Sequence, residues 1–425
     1  MVDRFRSLDG VAHCEGVSLP LLACEVGTPL YVYSTAAMQS AARTLKAALV
    51  SLGDPLIAYA VKANPNPAVL ATLAAEGLGA DVVSGGEYRR AIAAGIASAR
   101  IVFSGVGKTR AEMALALKGG LYQFNLESVE EAEMLSEVAT AASRVVPVAL
   151  RVNPDVDAGS HEKISTGSAH NKFGIPLSDA VSACARIAAL PGLNVQGVAV
   201  HIGSQLTSLA PLEDAFVKLG TLIAALRTAG HDIRTADLGG GLGVAYDPSA
   251  PPPPTPEAYG EMVARVTAGW GVRLIFEPGR LIVGDAGVLL TQVIRVKPGA
   301  SHPFVIVDAA MNDLMRPSLY DAWHAIDAVA PTGERMVADV VGPVCETGDT
   351  FARERAMDAV EPGDLLIIRT AGAYAATMAN SYNSRALVPE VLVDGERWAI
   401  VRARPDVEAQ TSGEALAPWL SLPAR

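Results

Sequence analysis

Between positions 56 and 277 the chain repeats one pattern, a short apolar run rich in valine and isoleucine followed by a longer stretch rich in alanine and leucine. The apolar runs are LIAYAV (56–61), ADVVS (80–84), IVFSG (101–105), YQFNL (122–126), VPVALRV (146–152), VQGVAVHI (195–202), IRTADLG (233–239) and VRLIFE (272–277). Near-continuous apolar runs of this length, separated by helical patterns, predict buried parallel strands. The intervening stretches include GGEYRRAIAAGI and SVEEAEMLSEVATAA, and the second opens with a Ser/Glu helix-capping signature. Eight strand–helix units over about 225 residues predict a (β/α)8 TIM barrel. A doubly wound open sheet has similar alternation and is the competing architecture.

After Arg280 the pattern changes to strands divided by turns: AGVLLTQVIRVKPG, HPFVIVDAA, RMVADVVGPV, DLLIIRTAG and EVLVDGERWAIVRAR, the last a hairpin turning at Asp394-Gly395. This predicts a C-terminal antiparallel β domain. The strand-like TPLYVYS (28–34) precedes the first barrel unit and suits pairing with that domain. The expected division is a barrel at 35–280, with 1–34 and 281–425 together forming the β domain. Two long loops remain, at 153–176 and in YDPSAPPPPTPEAYG after the seventh strand. Both read as spacers by length and composition, although the Gly, Asn and His residues of the first also suit a loop closing over a ligand.

With 425 residues, half of them hydrophobic, the chain can bury two cores. Its 34 Lys and Arg against 45 Asp and Glu give a net charge of −11 with no basic block, which argues against nucleic acid or an anionic membrane as partner. An anionic substrate would need local arginines. No run approaches the roughly 18 apolar residues of a membrane span, and MVDRFRSLDG lacks an apolar leader core. Cys14, Cys24, Cys184 and Cys345 lie far apart without a CxxC or a neighbouring histidine pair, so neither disulfides nor a metal site is expected. A cytoplasmic location fits.

In a barrel, catalytic residues stand at the C-terminal ends of the strands. Lys62 falls there after strand one, Asp81 and Ser84 at strand two, His201 and Ser204 after strand six, GGGLG (239–243) after strand seven and EPGR (277–280) after strand eight. Singly these signals are weak: a lysine leaving a strand can simply snorkel into water, and a glycine run is often only a tight turn. Together they share one mouth. Gly239, Gly240 and Gly241 let backbone amides approach an anion, where barrels commonly hold phosphate. A lysine amine across the mouth and a carboxylate, Glu277, narrow that anion to pyridoxal 5'-phosphate, which needs partners for its aldehyde, ring nitrogen and phosphate. His201 would lie against the ring face. A carboxylate that keeps the ring nitrogen protonated favours decarboxylation.

YAVKAN, HIGSQ, DLGGGLG, EPGR, MNDLMRPSLYDAWH, GPVCETGD and GAYAATMANSYN, taken in order, resemble the motif set of the diaminopimelate decarboxylases. That group belongs to the barrel-fold pyridoxal phosphate enzymes, with ornithine and arginine decarboxylases and, more distantly, alanine racemase. The resemblance spans essentially the whole chain. It implies Lys62 as the lysine joined to the cofactor, His201 on its ring, and Asp81, Ser204, Gly240, Gly241, Glu277, Gly279, Arg280 and Tyr374 around it. It also implies a homodimer with shared active sites, in which the loop carrying Cys345 and Glu346 enters the partner's site and Cys345 protonates the product carbon. Without the resemblance, Cys345 reads as a small residue in a Gly/Pro loop.

Charge argues for the substrate. Beyond its reacting carbon, meso-2,6-diaminopimelate still presents an ammonium and a carboxylate, whereas ornithine or lysine presents only an amine. Arg280 and Arg316 with Tyr320 suit the distal carboxylate, and Glu346 suits the distal ammonium, with Tyr374 near both cofactor and substrate. A simple diamine precursor would leave two buried arginines unpaired. The expected reaction yields L-lysine and CO2, the last step of lysine biosynthesis. The alternatives are a decarboxylase of a related basic amino acid or carboxynorspermidine, or a non-catalytic homologue that binds the cofactor.

Overall fold

The structure, a computed structural model, describes residues 4–157, 166–167 and 171–420. Eight parallel strands, Leu56–Ala60, Gly79–Val82, Ile101–Phe103, Gln123–Leu126, Val146–Asn153, Leu193–Ala199, Thr235–Asp237 and Arg273–Phe276, pair in chain order. The eighth pairs with the first, Ile275 opposite Leu56, and closes a barrel rather than an open sheet. The alternation of the first strand shows why its sequence is apolar throughout. Leu56 and Ala58 join Val102 and Ile275 in one cluster, while Ile57 and Tyr59 pack in the main cluster that includes the helices. Every residue of that strand is buried.

Helices alternate with the strands and begin where their sequences predict. Ser128 caps Val129–Ala141 by accepting from Glu131 N, while the Glu131 side chain turns away to Lys108 and Glu127 N. A reciprocal capping box forms instead at Thr109 and Glu112. Ser84 is also a cap, at the start of Gly85–Ala93.

The rest of the chain is built on the long strand Gly287–Lys297, which pairs antiparallel with Leu30–Ser34, Phe304–Val307 and Leu365–Ile368. TPLYVYS thus pairs with this sheet. Glu390–Asp394 and Arg397–Arg402 form the expected hairpin, with Gly395 at φ 64° in its turn. Most pairs are antiparallel, but Phe304–Val307 with Arg335–Val341 and Leu30–Ser34 with Glu390–Asp394 run parallel. A small antiparallel sheet, Phe5–Leu8, Val11–Cys14 and Val17–Ser18, precedes them and does not follow from the sequence reading. Within the 153–176 loop, residues 158–165 and 168–170 lie outside the described residues. The proline run ends at Thr255, which caps helix Pro256–Val266.

Candidate active site

The mouth of the barrel is held by contacts with the sheet built on Gly287–Lys297. After the first strand the chain makes a single 3-10 turn, Val61–Ala63, and then Asn66 caps helix Pro67–Ala75. Asn64 Nδ2 donates to Gly372 O (3.1 Å) and Tyr374 N donates to Ala63 O (2.8 Å), so loop 372–374 is laced to the turn that carries Lys62. Asn66 Nδ2 and Tyr33 OH both donate to Glu390 Oε2. The local sequence places Lys62 at the rim, and these long-range bonds fix its direction.

Lys62 Nζ donates to Asp81 Oδ2 at 2.7 Å; Asp81 is fully buried, whereas the lysine side chain keeps 35% of its exposure. Burial lowers the lysine pKa, but Asp81, Tyr374 and Glu277 outweigh it and the net direction is up, so Nζ is an ammonium. Asp81 Oδ1 has no hydrogen-bond partner among the described residues.

His201 Nδ1 accepts from Gly240 N at 3.2 Å, which leaves Nε2 as the position for its proton. Burial, with Arg151 and Lys62 nearby, pushes its pKa well down and keeps the imidazole neutral. The glycines after strand seven sit where side chains do not fit. A Cβ on Gly240 would lie 2.2 Å from Glu277 O, and one on Gly241, at φ +119°, would lie 2.4 Å from Leu206 Cδ1.

Glu277 is buried and accepts from Ser104 Oγ at 3.1 Å. Asn125 Nδ2 donates to Asp237 Oδ2 at 2.8 Å and approaches Glu277 Oε1 at 3.4 Å. Glu277 and Asp237 are themselves hydrogen-bonded, and burial first, then Asp237 and Asp81, raises the Glu277 pKa well above the carboxylate range. The pair therefore shares a proton. Ser104, Asn125 and Asp237 were missed by the sequence reading. Their signal was present: Gln123, Asn125, Thr235 and Asp237 are polar residues at alternate positions of buried strands, which places them inside the barrel.

Arg280 donates through Nη1 to Tyr246 OH and through Nη2 to Ser204 Oγ (3.0 Å), and its guanidinium lies 4.8 Å from the Tyr374 ring centroid. Arg316, in the short helix Arg316–Tyr320, is buried and donates through Nη1 to His324 Nε2 at 2.8 Å. Arg280, Arg316, Tyr320, Tyr374, Ser204, His201 and Lys62 line one cavity. Gly240, Gly241, Glu277 and Gly279 line a second, of about 560 Å³ including space open to solvent, which also takes in Lys62, His201, Ser204, Arg280 and Tyr374. The glycine run, EPGR, Lys62 and both arginines thus share one mouth.

Cys345 and Glu346 do not line these cavities. Their loop is pinned by Asp349, which accepts from Val344 N (2.7 Å) and Met311 N (2.6 Å). Both residues are exposed; Cys345 Sγ accepts from Asn383 Nδ2 at 3.6 Å, and Glu346 is hydrogen-bonded to Tyr382.

These residues suit pyridoxal 5'-phosphate. The glycine loop leaves backbone room that a Cβ would fill, Asp81 Oδ1 and Arg280 Nε are buried polar atoms without partners among the described residues, and an amine and a proton-holding carboxyl flank the same space. A family model described as pyridoxal-dependent decarboxylase, pyridoxal binding domain, matches residues 38–284. A diaminopimelate decarboxylase of Zymomonas mobilis is 56% identical over 418 residues, 98% of this chain and 99% of that one. A diaminopimelate decarboxylase of Neisseria meningitidis is 47% identical over 402 residues, 94% of this chain and 98% of its own. Among solved structures, the diaminopimelate decarboxylase of M. jannaschii in co-complex with L-lysine superposes with a TM-score of 0.94 at 34% identity, covering 98% of this chain and 99% of the other.

Proposed function

The chain belongs to the pyridoxal-dependent decarboxylases, among the diaminopimelate decarboxylases, and from that premise we propose how its own residues divide the work. The reaction is decarboxylation of meso-2,6-diaminopimelate to L-lysine and CO2, the last step of lysine biosynthesis, with pyridoxal phosphate as cofactor. Bound pyridoxal phosphate draws electrons from the substrate Cα so that its bond to the carboxylate can break.

Lys62, whose amine faces the cavity, would hold the cofactor's aldehyde carbon. When its amine is free, Lys62 would be held as an ammonium against Asp81, the state its surroundings favour. His201, neutral and fixed by Gly240 N, would offer its ring face to the cofactor without adding positive charge. Glu277 would hold the proton at the cofactor's ring nitrogen, and Gly240, Gly241 and Gly279 would admit its phosphate to backbone amides, with Ser204 and Tyr374 beside them.

Arg280, Arg316 and Tyr320 bind the distal carboxylate. The observation that carries the substrate choice is that both guanidiniums are buried at one mouth, with only neutral hydrogen-bond partners among the described residues. Such charges call for an anionic end group, which ornithine and arginine lack once their α-carbon is bound. Purified holoenzyme is expected to release CO2 from meso-diaminopimelate and not from ornithine or arginine; the reverse pattern would sink the substrate assignment.

Cys345 and Glu346 act in the partner's site of a homodimer, Glu346 on the distal ammonium and Cys345 as proton donor to the product carbon. Their exposure and their absence from the chain's own cavities support this. Mixing the inactive variants Lys62→Ala and Cys345→Ala under conditions of subunit exchange should regenerate activity, because one site of each mixed dimer keeps both residues. No recovery despite proven exchange would place Cys345 in its own chain's site. Glu346→Gln is expected to lower kcat/KM for meso-diaminopimelate by about tenfold, the scale of one charged contact. We place the enzyme in the cytoplasm, where the exposed free thiol of Cys24 suits a reducing compartment.

A further inference from the structure

Tyr246, at the end of the sequence DLGGGLGVAY, belongs to none of the roles assigned above, yet it touches both substrate-facing arginines. Its ring centroid lies 4.2 Å from the Arg316 guanidinium carbon and 5.6 Å from that of Arg280, and its hydroxyl accepts from Arg280 Nη1. The same ring meets His324 edge-on at 5.0 Å and 77°. His324 in turn accepts from Arg316 Nη1 and donates from Nδ1 to Arg369 O at 2.7 Å; burial first, then Arg316, pushes its pKa down to about 3, so the imidazole stays neutral.

The loop that presents Tyr246 is fixed from the neighbouring strand end. Gln205 donates from Nε2 to Val244 O at 2.6 Å and accepts from Val244 N at 3.1 Å, a reciprocal pair two residues before the tyrosine. The Gln of HIGSQ and the Tyr of GLGVAY thereby become parts of one device.

We propose that Tyr246 is the positioning residue that keeps Arg280 and Arg316 aimed at the substrate's far carboxylate while leaving their charge uncancelled. Two guanidiniums this close repel each other, and an Asp or Glu between them would relieve the repulsion. It would also neutralise the site and compete with the ligand. A phenol hydroxyl and a π face stabilise both cations without a counter-charge, and the neutral His324 does the same from the other side of Arg316. The far end of the cavity therefore stays cationic and preshaped, which favours an α-amino acid end group over a bare amine.

This inference rests on the diaminopimelate reading, and its test separates the two. L-Lysine, the product, keeps the distal ammonium and carboxylate; 1,5-diaminopentane has the same chain without the carboxylate. In the cofactor-loaded enzyme, Tyr246→Phe removes the acceptor for Arg280 and Tyr246→Leu also removes the ring. Tyr246→Phe should raise KM for meso-diaminopimelate and Ki for L-lysine by about tenfold, the loss of one hydrogen bond to a charged group, and Tyr246→Leu should raise them further. Ki for 1,5-diaminopentane should stay within about twofold of wild type, below the roughly 0.5 kcal/mol scale of a single weak contact. An equal rise for both inhibitors would reduce Tyr246 to scaffold, and unchanged KM and Ki in Tyr246→Phe would remove the role altogether. Should Tyr246→Leu not fold, Tyr246→Phe alone decides. If the wild type releases no CO2 from meso-diaminopimelate, the functional reading fails, while the contrast between the two inhibitors still reports on Tyr246.

Discussion

Replacing Lys62 with alanine should abolish turnover, lowering kcat by about 10⁴-fold or more, as expected when the group that forms the covalent bond is removed. Two effects combine and can be separated. The first is chemical: no other amine lines the space between Glu277, His201 and the glycine loop among the described residues. The second is structural, because Asp81 is fully buried and would lose its ion-pair partner. That loss should cost at most about 3 kcal/mol of stability, since Lys62 itself is partly exposed and water can reach the pair. The double variant Lys62→Met with Asp81→Asn removes the stranded charge, so its melting temperature should recover while its activity does not. Borohydride reduction of the wild-type holoenzyme should fix the cofactor to the peptide containing Lys62, read by mass spectrometry. A Lys62→Ala enzyme within tenfold of wild-type kcat would refute the covalent role.

The barrel was legible because its strands carry a local signal. LIAYAV is apolar on both faces since one face fills the barrel and the other meets helices, and the ladder from Leu56 to Ala60 follows it closely. IRTADLG was legible only in its middle, as Thr235–Asp237, because the glycines that admit an anion end the ladder early. The parallel pairing of Leu30–Ser34 with Glu390–Asp394 joins segments hundreds of residues apart, and no local pattern encodes such a partnership. The short Phe5–Leu8 and Val11–Cys14 strands were lost for another reason: FRSL and VAHC mix polar and apolar residues in runs of four, too short for periodicity to register.

Within the site the same division holds. Lys62, His201 and Arg280 were legible once the strands gave them a common mouth, and YAVKAN supplied a cation where a buried strand ends. Asn125 and Asp237 lie in strands whose apolar neighbours hid them, although their alternation marks the barrel interior. Tyr246 was hidden by its setting, a loop that reads as a proline spacer, since nothing local says that its ring reaches Arg316 and His324. Cys345 and Glu346 line none of the cavities around Lys62 in the single chain, so their proposed place in a partner's site has no counterpart in local geometry.

Glu277→Gln should move activity and stability in opposite directions. In the cofactor-free protein Glu277 is buried against Asp237 and its carboxyl is raised well above the usual range, so at neutral pH the folded state still holds a proton that the unfolded chain releases at about pH 4 to 5. A raised carboxyl stabilises fully only below the unfolded pKa, and the stability it carries is lost as pH rises towards the folded value. The amide introduced by Glu277→Gln would carry no charge to bury, and it can donate to Asp237 where the shared proton now lies. The cofactor-free variant should therefore melt with wild type at about pH 4 and above it at about pH 8, the gap widening with pH across that window. Function should move the other way. An amide cannot accept and hold the charge of a protonated ring nitrogen, so kcat/KM should fall by about 10²- to 10³-fold, the scale of losing one preorganised electrostatic partner. Thermal melts of the cofactor-free proteins at both pH values, beside kinetics of the loaded ones, test both halves. A variant that is less stable at pH 8 than wild type, or that keeps kcat/KM within about threefold, would show that Glu277 is held for packing and not for its proton.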